Sequence, residues 1–168
     1  MNHKIVLLSF LMFSYVASSA QTLTSTNSWE FICENYALTG IATIQISKSE
    51  KGGILKISVE TTNPAFVISG TTYVFLADNS TITCSDKNQR EVSGNRITTY
   101  YRFTPAEMFK LKNIEIQSIH FNIKGNSKGF SSQIGNFTAV NKKSYFATAF
   151  DKTRKSHDTA AEISALYN

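Results

Sequence analysis

The sequence predicts a mainly β protein, an antiparallel β-sandwich or barrel of about eight strands with two short helices. Three observations predict it. Apolar and polar residues alternate at period two through most of the chain, turn residues recur about every 8–12 positions, and only two segments carry helix-start signals. Strands of a parallel sheet, covered on both faces, would instead read as continuous apolar runs.

The elements follow in order. Trp29, Phe31 and Cys33 share one phase against Glu30 and Glu34, a half-buried strand. Ala42, Ile44 and Ile46 repeat it, and after the turn Ser49 to Gly53 the return strand carries Leu55, Ile57 and Val59 inward, which makes a hairpin. Asn63-Pro64 breaks the run. The apolar stretches on both sides of Gly70 predict a bulge or tight corner in a more buried region. Asp78-Asn79-Ser80 is a turn, Ile82 and Cys84 face in, and Asp86 to Asn95 reads as a polar loop before a strand from Ile97 to Phe103. Thr104-Pro105-Ala106-Glu107 is a helix start with a capping box, and the helix ends near Lys112. Ile119, Phe121 and Ile123 lie on the opposite phase from Ile114 and Ile116, which places a bend near Ser118. A loop from Gly125 to Gly129 and a strand from Gly135 to Val140 follow. Asp158 or Thr159 then caps a last helix whose stripe is Ile163, Leu166 and Tyr167.

The 168 residues fit one domain with one core. Residues 1–20 read as a cleavable signal peptide: Lys4 gives the positive start, Ile5 to Val16 the apolar stretch, and Ala17-Ser18-Ser19-Ala20 the small residues of a cleavage site. The apolar stretch is too short to stay as a membrane-spanning helix, so no transmembrane anchor is expected. Residues 21–28 have the composition of a flexible lead-in, and residues 29–168 form the β-rich domain with its C-terminal helix. The expected location after cleavage near Ala20 is periplasmic or extracellular. The formal net charge is +5, but the basic residues are scattered, which gives no support to a nucleic-acid role.

In an oxidising compartment Cys33 and Cys84 could form a disulfide, with two buried thiols as the alternative. Neither cysteine has a second ligand at zinc-type spacing, and no phosphate loop or calcium loop is present, so no cofactor or metal is expected. His120 stands on an outward phase beside Asn122 and Lys124 with no visible carboxylate partner, the pattern of a surface residue rather than a general base. Tyr73 and Tyr100 are aromatics on outward phases, and such residues can stack on sugars or partner proteins unless the helices cover them. The tripeptide Asp158-Thr159-Ala160 matches an acidic-hydroxyl-small glycosylation pattern but is better explained by helix capping.

The stretch Thr71 to Ile123, with its Ile82-Thr83-Cys84 strand, its Tyr101 to Met108 helix start and its Ile119 to Ile123 strand, resembles small uncharacterised exported β-rich proteins of Gram-negative bacteria. The resemblance implies location and fold, and no functional residue is carried across. The first expectation for function is therefore an exported, non-enzymatic binding or envelope accessory module for an unknown protein, glycan or small ligand. Its contact surface would involve Tyr73, Tyr100 and His120. The alternative is a small-molecule carrier with a lipocalin-like barrel cavity lined by Trp29, Phe31, Ile44, Ile57 and Val59. A hydrolase comes last, for want of a nucleophile–base pair.

Overall fold

A computed structural model describes residues 24–34, 40–126, 131–144 and 155–168. Residues 1–20, read above as a signal peptide, the start of the lead-in and most of the Gly125 to Gly129 loop lie outside the described residues. The described residues form ten strands: β1 (Trp29–Cys33), β2 (Ile41–Ser49), β3 (Gly52–Glu60), β4 (Val67–Ile68), β5 (Thr72–Leu76), β6 (Thr81–Cys84), β7 (Arg90–Ser93), β8 (Arg96–Phe103), β9 (Ile116–Lys124) and β10 (Gly135–Val140). Two helices join them, α1 (Pro105–Leu111) and α2 (Thr159–Ala165). All the strand pairs are antiparallel, in the order β6-β5-β9-β10-β1-β2-β3-β8-β7, and β4 pairs with β9 off this path.

The fold is thus one sheet curled into a half-barrel, with β6 and β7 as its unpaired ends. Its concave side holds one continuous core in which Trp29, Phe31, Ile44, Leu55, Ile57, Tyr101 and Phe137 are fully buried. The period-two reading of the strands holds closely. The β2–β3 hairpin turns through Glu50 and Lys51 between the paired Ser49 and Gly52. Gly52 has φ +126°, and a Cβ there would lie 2.0 Å from the Phe103 carbonyl oxygen, so no other residue fits this close approach.

The capping box of α1 forms as read: the Thr104 side chain accepts from the Glu107 amide, and the Glu107 carboxylate accepts from the Thr104 amide. Met108 and Leu111 drop from α1 into the core, where Met108 fills the space over Gly53. The helix therefore plugs the inside of the half-barrel. The phase change near Ser118 is a register shift: Phe75 lies opposite Ser118, but Leu76 lies opposite Ile116. The skipped Gln117 lets Ile116 and Ile119 face the same core.

Four expectations change. The stretch Asp86 to Asn95 contains the edge strand β7, which sequence periodicity misses because none of its residues is buried. Around Gly70 the chain does turn a corner, at φ +85°, but β5 is covered on one face only, with Tyr73 exposed and Val74 buried. The end of the lead-in is tied down: Ser25 bridges Ser47, the Thr26 amide donates to the Ile46 carbonyl, and Thr26 is buried. Finally, Asp158 caps α2, while Thr159 is fully buried and its hydroxyl accepts from the Ile116 amide. A fully buried hydroxyl in that bond is closed to modification in the folded chain.

Candidate functional site

Strand register decides which outward residues meet. Tyr73 on β5 stands opposite His120 on β9, and His120 stands opposite Thr138 on β10, so the three form a row across the convex face. The next row joins Asn122 to Asn136, with the Asn122 amide donating to Asn136 Oδ1 at 2.8 Å. Thr71, Tyr73, His120, Asn136 and Thr138 line a groove of about 350 Å³. Tyr73 is 42% exposed, a large aromatic surface left open by the described residues.

His120 packs on Phe75 with ring centres 4.5 Å apart. Partial burial holds its imidazole below the usual range, so at pH 7 it is neutral, one ring nitrogen donating and the other accepting. Among the described residues no carboxylate orients it as a base. The groove therefore offers an aromatic face, a neutral imidazole, one amide and two hydroxyls, which is suited to hydrogen bonding without charge.

Tyr100, grouped with these residues by sequence phase, sits elsewhere. It stands on β8 opposite Lys56, near the other end of the sheet path. Its hydroxyl donates to Glu91 Oε2 at 2.7 Å, and burial together with that carboxylate pushes its pKa up to about 12. Tyr100 is already engaged within the fold.

Cys33 and Cys84 are both buried, and no disulfide joins them in this structure. They lie on β1 and β6 and face the same core. Burial, with Glu107 adding to it, pushes the Cys84 thiol up to about 12, so it is a core group rather than a nucleophile.

Sequence reasoning missed the fastening between the two ends of the sheet. Asp86 accepts from the Gly70 amide and pairs with Arg90, whose Nε donates to the Ile68 carbonyl at 2.9 Å. Thr99 donates to the same carbonyl, and the Tyr101 hydroxyl donates to the Gly70 carbonyl. These side chains satisfy backbone groups at the β4–β5 corner that would otherwise be stranded. The Asp86 to Arg90 spacing was visible in the sequence, but the backbone they serve lies some 16 to 22 residues away.

Among the described residues no group of three or more His, Cys, Asp or Glu side chains could hold a metal ion. No described helix is long and apolar enough to cross a membrane. No protein-family model matches the chain, and neither a curated protein nor a solved structure matches it.

Proposed function

We propose that this protein is an exported, non-enzymatic binding module whose β5–β9–β10 groove takes a neutral, hydroxyl-rich glycan segment. The observation that carries the reading is the row Tyr73, His120, Thr138, an exposed aromatic ring aligned across three strands with uncharged hydrogen-bonding groups. Sugar rings present an apolar face to an aromatic and a hydroxyl rim to amides, imidazole and hydroxyls, so each part of the groove has a counterpart. The packing of Trp29, Phe31, Ile44, Ile57 and Val59 into one cluster, each at most 2% exposed, favours an outer contact surface over an interior carrier cavity.

The test is titration calorimetry with neutral hexasaccharides of glucose and of N-acetylglucosamine, alongside retention on the corresponding polysaccharides. Binding is expected for the native protein, with roughly tenfold weaker affinity for Tyr73→Ala at an unchanged thermal midpoint. Equal affinity of the two proteins, or no binding by either, sinks the glycan reading.

A further inference from the structure

A second open surface lies where the β2–β3 turn, α1 and the residues after α2 meet. Lys48 Nζ is 4.5 Å from the centre of the Tyr167 ring and Lys112 Nζ is 4.3 Å from it, so one aromatic ring carries two ammonium groups. Lys48 also donates to the Leu166 carbonyl at 3.3 Å. Among the described residues neither lysine forms an ion pair. The neighbouring Glu107 carboxylate is committed to the Thr104 cap, which leaves Glu50 as the acidic group in the lining. Phe109 is 67% exposed on α1, and with Gly52, Pro105, Lys48, Lys112 and Tyr167 it lines a groove of about 320 Å³.

We propose that this groove docks an acidic peptide segment of a partner protein, with a carboxylate between Lys48 and Lys112 and an apolar neighbour against Phe109 and Pro105. Two ammonium groups against one ring repel each other, and an entering carboxylate relieves that repulsion. The exposed phenyl and the proline ring supply an apolar wall that water covers poorly. A membrane surface would ask the cations to project onto a common plane. Here they lie back on Tyr167, one tied to a backbone carbonyl, which concentrates charge inside a hollow of side-chain size.

The experiment titrates the protein with a synthetic peptide carrying three glutamates around one leucine, with its glutamine counterpart as control. The glutamate peptide binds, more weakly as salt rises, and the Tyr167 ring resonances move; the glutamine peptide does not bind. K48Q/K112Q weakens binding about tenfold and Phe109→Ala severalfold, while Tyr73→Ala leaves it unchanged, which separates this site from the glycan groove. Binding by K48Q/K112Q at native affinity overturns the proposal. So does co-sedimentation with phosphatidylglycerol vesicles in place of peptide binding. Should the double variant fail to fold, unmoved Tyr167 resonances in the native protein overturn it equally.

Discussion

The two ends of the sheet path carry outward aromatics in matching places, Tyr73 on β5 and Tyr100 on β8, each on the strand next to an edge. Their surroundings differ. Around Tyr100 the polar groups are matched: its hydroxyl holds Glu91, and Arg96 pairs with Glu60 at 3.2 Å on the neighbouring strands. Around Tyr73 the ring is open and His120 is neutral, beside one amide and two hydroxyls with bonding capacity to spare. An outward phase therefore nominates a residue as exposed, but only the state of its neighbours says whether it is available.

The comparison assumes that both ends belong to one rigid curl, and the largest expected effect tests that assumption. Asp86→Ala removes the partner of the Gly70 amide and of Arg90 Nη2, both part-buried, and should cost about 2–3 kcal/mol in urea unfolding. A loss below about 0.5 kcal/mol would show that the Asp86 carboxylate does not help to hold the ends together.

Acidification gives a smaller change and sharpens the contrast. The folded pKa of His120 is lowered by burial, so as pH falls through the ordinary imidazole range the unfolded chain takes up its proton first and the native state loses stability. His120→Gln should reduce that loss, measured as the thermal midpoint between pH 7 and pH 5. An identical pH dependence in the variant would show that the β9 imidazole is not held by its surroundings.

The smallest effect is expected at the satisfied end. Tyr100→Phe removes a solvent-exposed hydrogen bond and should change stability by less than about 0.5 kcal/mol, with glycan binding unaltered. Weakened glycan binding in Tyr100→Phe would erase the distinction between the two ends.

Much of this architecture was legible because period two is a local signal. The inward sets Trp29/Phe31/Cys33 and Leu55/Ile57/Val59 are buried as the alternation requires, and the Thr104–Glu107 box lies within four consecutive residues. β7 was not legible, because with no buried residue it leaves no alternation to read. Tyr73 and His120 could be singled out by phase, but their meeting depends on pairing across 47 positions, which no local pattern encodes. The Lys48–Tyr167 contact is more distant still in sequence, and helix packing alone creates it.

The position of β10 bears on the order in which the molecule can be completed. β1 gains its second neighbour only when Val140 and Ala139 reach Ile32 and Cys33, and β9 needs the same strand on its other side. A chain that stops short of Gly135 thus has two raw borders where the finished protein has continuous backbone pairing. Completing the sheet thus depends on pairing between segments more than a hundred positions apart, the non-local kind of contact that slows folding.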